Sequence, residues 1–244
     1  MEPRLALTNV SGHISTDTVW NNTSEPYVLA GDLYVDYGVT LTLGFGVTLR
    51  SNLYDWDLIV RGTLVSQGAT LLGTTGSLGR KPSISVQSGG RADLLTGTEV
   101  QKFKTTFAAG SAGQIRGTDF STLALELSTT AVTVDNSTFG ASTSVHVLPD
   151  GVSDLADNTF TGGAVAVEAG TLTTSATWGV LGNVTTYSLL GELTVAADAS
   201  LTVSPGLSLP LGGDLTVSRG ATLTLAAGTT VRTGSPDNDM IVGG

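Results

Sequence analysis

A chain of 244 residues with a formal charge of −10, 13% charged residues and 40% hydrophobic ones is long and apolar enough to bury a core. Its three lysines (Lys81, Lys102 and Lys104) and its acidic balance argue against a nucleic-acid or anionic-membrane partner, which clustered Lys and Arg would serve. The lack of cysteine excludes disulfides and thiolate metal sites, and no apolar run reaches the roughly 18 residues of a membrane span.

Residues 1–4 lack the charged-then-apolar build of a signal peptide, which points to a processed or trimmed chain. Residues 1–13 read as a lead-in or cap, and residues 14–244 as one continuous repetitive body. Its first clear unit is Gly31-Asp-Leu-Tyr-Val35, then Val39-Thr-Leu-Thr-Leu43, then Gly46-Val-Thr-Leu49. Apolar residues alternate with threonine here, the two-residue period of a strand with one buried face, and Gly44 and Gly46 break the run. No 3.6-residue apolar stripe of useful length occurs, so helices are expected to be few.

The middle of the chain repeats more loosely. Phe103, Phe120, Phe139 and Phe160 fall 17, 19 and 21 residues apart, two of them in the near-identical phrases Asp135-Asn-Ser-Thr-Phe139 and Asp157-Asn-Thr-Phe160. The first unit then returns without gaps at residues 191–209, offset by 160, and again at 213–231, 22 residues later. Short strands separated by turns and recurring about every 20 residues describe the coils of a solenoid. The expected fold is all-β: a single-stranded parallel β-helix of 11 or 12 coils, stacked about 4.8 Å apart into a rod on the order of 55 Å long. Inward positions take aliphatics, and equivalent Phe residues stack from coil to coil.

The phrases Tyr27-Val-Leu-Ala-Gly-Asp-Leu-Tyr-Val35 and Gly38-Val-Thr-Leu-Thr-Leu43 resemble those of secreted bacterial right-handed parallel β-helix proteins. The Asp-Asn-Ser-Thr-Phe and Asp-Asn-Thr-Phe turns resemble the coil-closing turns of the same pectin-lyase-like superfamily. The resemblance covers most of residues 14–244 and implies a right-handed coil and an extracellular or cell-surface location. It implies no single activity, because that superfamily spans polysaccharide lyases, hydrolases, phage tailspikes, adhesins and surface fibres.

Its enzymes work with clustered carboxylates, often with calcium and with Arg or Lys as base. The best-spaced carboxylates here are Asp55 and Asp57, echoed 182 residues on by Asp237 and Asp239. They are candidate acid/base residues or Ca²⁺ ligands; an Asp-rich turn before a strand is the preferred reading, since Leu58-Ile-Val60 and Met240-Ile-Val242 follow directly. Asp150, Asp154 and Asp157 form a second acidic group, read as a solvated loop rather than a calcium site. His146 alternates with Val145 and Val147 and so faces outward, and His13 lies in the lead-in; neither supports catalysis.

Trp20 and Trp178, offset by 158, are expected to cover the core where a repeat block begins rather than to stack on sugar. Trp56, Tyr34, Tyr37 and Tyr54 would make a carbohydrate platform if they share a face. Outward pairs Thr40/Thr42, Ser200/Thr202 and Thr222/Thr224 raise ice binding as a minor alternative. Sequons at Asn9, Asn22, Asn136 and Asn183 are expected by accident in so Thr- and Ser-rich a chain.

Residues 228–244 align with 46–62, so the C-terminal end of the solenoid is expected to be uncapped, either because the native chain continues or because the edge pairs with another molecule. The functional expectation is therefore an extracellular structural or adhesive β-solenoid: a fibre, stalk or filament subunit assembling end to end or part of a longer chain, with no cofactor. A polysaccharide-binding or polysaccharide-cleaving domain is the alternative.

Overall fold

The computed structural model describes residues 7–51, 56–74, 81–121 and 124–243. They form a parallel β-solenoid of about ten turns of about 22 residues. At about 4.8 Å per coil the rod is on the order of 48 Å long, shorter than the sequence period implied. The period of 20 holds only in the middle, where Lys104 lies beside Ala124 and Ala124 beside Ser144. Elsewhere corners absorb extra residues: Thr70 pairs with Glu99, and Leu58 with Ile84.

Each coil carries three short strands. Thr40–Leu43 buries Leu41 and Leu43 completely and turns Thr40 and Thr42 outward. The corner that follows is a four-residue turn, in which Val47 N–H donates to Gly44 C=O at 3.2 Å and Gly46 sits at φ 75°. That conformation suits glycine, which has no Cβ to clash. Gly46 N–H itself donates to Gly68 C=O, so the ladder between coils continues around the corner.

Stacking sorts the strands onto faces. One face runs from residues 27–29 through Thr48–Ser51, Thr70–Leu72, Glu99–Gln101, Asp119–Phe120 and Thr138–Phe139 to Thr159–Phe160. A second runs from residues 33–35 through Leu58–Val60, Ser83–Val86, Lys104–Phe107, Ala124–Leu127 and Ser144–Val147 to Ala164–Val167. The third holds Thr18–Trp20, Thr40–Leu43, Thr63–Gln67, Arg91–Leu95, Ala112–Arg116 and Val132–Asp135. Residues 8–13, read as part of a lead-in or cap, form most of Thr8–Ile14, which pairs in parallel with Tyr27–Val35.

The third face stops at a 3-10 segment, Pro149–Leu155, which packs against Val132–Asp135, Gly170–Leu172 and Ala176–Trp178. Beyond it two new sheets begin, one of four strands from Gly170–Leu172 to Met240–Val242 and one of three from Ala176–Trp178 to Thr222–Leu225. Here the long repeat slips: residues 27–29 lie on the first face, but their counterpart Tyr187–Leu189 stacks on Ala164–Val167 of the second. The two copies are thus rotated by one face about the rod axis.

The interior is a set of columns along that axis. Leu49, Leu71, Val100, Phe120, Phe139 and Phe160 form one, with Phe120–Phe139 ring centroids at 5.4 Å and Phe139–Phe160 at 4.7 Å. Val100, not Phe103, occupies the place below Phe120; Phe103 is buried but lies beyond that strand. A hydroxyl ladder lines a neighbouring corner, where Ser66 and Thr98 oxygens meet at 2.9 Å and Thr118 Oγ1 donates to Leu94 C=O.

Candidate functional site

The acidic candidates serve as braces between coils. Ser83 N–H donates to Asp57 Oδ1 at 2.7 Å, and Asp57's own N–H donates to Asp32 Oδ1 at 3.1 Å. Far along the rod the motif recurs, Asp239 N–H donating to Asp214 Oδ1 at 2.9 Å. Asp237 is exposed, its N–H held by Ser235 Oγ. The fold therefore separates Asp57 from Asp237 and Asp239 rather than gathering them, and Asp55 lies outside the described residues. Among the described residues no three His, Asp or Glu side chains converge as a metal site would need.

Asp150 is a third brace, accepting both the N–H and hydroxyl groups of Thr173 and Thr174 at 2.6–3.2 Å. Burial alone would raise its pKa, but these bonds together outweigh it and hold the carboxyl below the ordinary range. Asp154 has the opposite shift, pushed up by burial. Asp157 contributes its backbone carbonyl to Asn136 N–H, at a corner where Asn136 takes φ 49°.

His146 faces outward as its alternation predicted, half-buried, with Nδ1 3.0 Å from Glu168 Oε1. His13 stacks on Tyr34 at 4.7 Å with Nδ1 2.8 Å from Asp36 Oδ1, and the Arg61 guanidinium lies 4.9 Å from the Tyr34 ring. Trp20 stacks on Tyr27 at 4.2 Å and both pack on the core, as does Trp56. Trp178 is completely buried against Tyr187, whose hydroxyl donates to Gly179 C=O and whose pKa is raised by burial. The tryptophans therefore belong to the interior. Tyr54 lies outside the described residues, and Tyr34 and Tyr37 do not share a strand face: Tyr34 stands on the second face, Tyr37 at its corner with the third.

The outward threonines stack only locally. Ser200 and Thr202 lie beneath Thr222 and Thr224, whereas Thr40 and Thr42 meet Thr63 and Val65. On the first face a concavity of about 310 Å³ is lined by Glu99, Gln101, Asp119, Ser121 and Thr138. Glu99 and Asp119 are direct neighbours across coils, and Gln101 Nε2 donates to Glu99 Oε2 at 3.1 Å.

Exposed apolar side chains gather elsewhere, on the third face of the first coils. Val19, Tyr37 and Phe45 are 60%, 68% and 82% exposed. Val19 points outward beside Thr42, while Tyr37 and Phe45 occupy the corners at either end of Thr40–Leu43. Sequence reasoning passed over Val19 and Phe45. A signal existed in the repeat alignment, where Pro205 and Ala227 stand at the position of Phe45. No helix of the described residues is long and apolar enough to cross a membrane. Compared with known proteins, the chain matches no family model, no curated protein and no solved structure.

Proposed function

We propose that this chain is an extracellular structural or adhesive β-solenoid, wound to the right like the pectin-lyase-like proteins its phrases resemble, forming part of a longer rod either by end-to-end association or through further coils of a longer chain. The observation that carries this reading is the apolar surface of the last described coil. Leu201, Val203 and Val217 are 0–3% exposed, whereas Leu225 and Val242, which stack on Val203 and Val217, are 39% and 67% exposed. Together with Met240 and Leu223 they line a depression of about 360 Å³. Inward-type side chains beside unpaired strand edges favour a further layer of parallel strands.

Sedimentation velocity over a hundred-fold concentration range, with electron microscopy of the same samples, tests it. Rods longer than about 48 Å and concentration-dependent association are expected, both suppressed by Leu225→Glu; a monomer at every concentration counts against it.

A second reading, polysaccharide cleavage, has in its favour that Glu99 and Asp119, neighbours across coils, line one concavity, since hydrolysis of a glycosidic bond uses a pair of carboxyls that flank it. Product release from uronic-acid and neutral polymers, with and without Ca²⁺ and with Glu99→Gln, decides it.

A further inference from the structure

The repeat supplies an internal control for what folding requires. The turn containing Phe45 is built again with Pro205 and Ala227, the turn containing Tyr37 with Ala197 and Arg219, and Thr177 stands where Val19 does. These turns close in the same way: Val47, Leu207 and Thr229 N–H donate to Gly44, Ser204 and Ala226 C=O, with Gly46, Gly206 and Gly228 at φ 75°, 79° and 80°. The coil therefore needs no aromatic at either corner, yet the first copy places one at both and leaves them mostly exposed.

The rings are also seated rather than loose. A Cβ at Gly68 would lie 2.5 Å from Phe45 Cδ2, so Phe45 lies across the bare corner of the next coil. A Cβ at Gly89 would lie 3.8 Å from Tyr37 Cε1, so Tyr37 reaches along the rod past the two-residue corner Arg61-Gly62. An exposed ring held on backbone loses little freedom when something stacks on it.

Between the rings lies a strand face of Thr40, Thr42, Thr63 and Val65, with Val19 below. The charges bordering it are already engaged: Asp17 with Thr40 N–H, Arg91 with Asp93, and Arg61 over Tyr34. The two rings stand eight residues apart, at most roughly 27 Å along the coil. Separated rings with hydroxyls between them suit a ligand that alternates apolar C–H faces with hydroxyl edges, whereas a protein partner favours one contiguous apolar anchor.

We infer that Tyr37, Phe45 and the Thr40–Leu43 face form a docking platform for a neutral polysaccharide chain. This rests on the adhesive side of the function proposed above and names its ligand class.

Affinity electrophoresis in hydroxyethylcellulose, galactomannan and xyloglucan, with polygalacturonate as the charged control, and pull-down on insoluble cellulose and chitin test it. At least one neutral polymer is expected to retain the protein. Tyr37→Ala and Phe45→Ala are each expected to weaken retention about ten-fold, and the double variant to abolish it, with circular dichroism unchanged. Pro205→Ala, at the equivalent turn, is expected to bind as wild type. Retention by none of the neutral polymers, retention by polygalacturonate alone, or full retention by the double variant overturns the inference. Pull-down of a protein partner, lost in the double variant while no glycan binds, overturns it likewise. Sedimentation of the double variant should match wild type, so a failure here is distinguishable from a failure of end-to-end assembly.

Discussion

The Asp57 carboxylate accepts the backbone N–H of Ser83 at 2.7 Å, joining one coil to the next outside the regular ladder. Asp57 is itself gripped by Asp32, so two carboxylates clamp three successive coils where the chain enters the second face. A charged acceptor makes such bonds stronger than a neutral one. Asp57→Ala is expected to lower stability by about 1–2 kcal/mol and Asp57→Asn by less, read from urea unfolding. Because the carboxylate already holds backbone, EDTA is expected to leave the wild-type midpoint unchanged.

Phe139 sits between Phe120 and Phe160 in the interior column and is completely buried. Truncation removes two stacked contacts and opens a cavity that neighbouring coils, fixed by their own ladders, cannot close. Phe139→Ala should cost about 3–5 kcal/mol, whereas Phe139→Leu should cost roughly half of that. Thermal unfolding monitored by circular dichroism checks both.

Thr105 occupies an inward position between Ile84 and Leu125, and its buried hydroxyl has no hydrogen-bond partner among the described residues. Valine has the same shape without the unpaired group. Thr105→Val is expected to raise stability by about 1 kcal/mol; an unchanged or lower midpoint would show that the hydroxyl is satisfied in solution.

The two aspartates of the 3-10 segment oppose each other in pH dependence. Asp150 has a folded pKa below its unfolded value, so its contribution is fully present above about pH 4 and is lost as pH falls through the folded pKa. Asp154 has a raised folded pKa, so its ionised form disfavours folding at neutral pH and the penalty disappears on acidification. Asp154→Asn should therefore stabilise at pH 7 and converge on wild type near pH 3. Asp150→Asn should destabilise at pH 7 and converge on wild type only at lower pH, below the depressed folded pKa of Asp150. Urea midpoints at several pH values separate the two.

Asp198 adopts φ 65° at a corner where the other copies carry Gly38 and Gly220, at φ 72° and 81°. Left-handed backbone suits glycine better than aspartate. Asp198→Gly is expected to raise the urea midpoint, by about 0.5 kcal/mol in stability.

Much of the fold was legible because a strand with one buried face writes a period of two into the chain, and a coil that stacks on its own kind writes a longer one. Leu41, Leu43, Leu201 and Val203 were readable as interior from their alternation with hydroxyl residues alone. The braces were not, because an aspartate before a strand looks the same whether its carboxylate meets solvent, a cation or the next coil's N–H. Phe45 was passed over for a related reason: hydrophobicity marks a residue as wanting burial, and only its neighbours show whether burial was granted.

Alternation and recurrence, read along the chain, determined that this protein is a stack of parallel coils with an aliphatic interior. Which coil lies on which was decided only in three dimensions, because corner lengths are set by turns whose residues carry little periodic signal. The third face ends at the 3-10 segment Pro149–Leu155 and the phase slips beyond it, so corresponding segments at residues 27–29 and 187–189 come to stand on different faces. The same bookkeeping of corners places Tyr37 and Phe45 at the two ends of one exposed strand face.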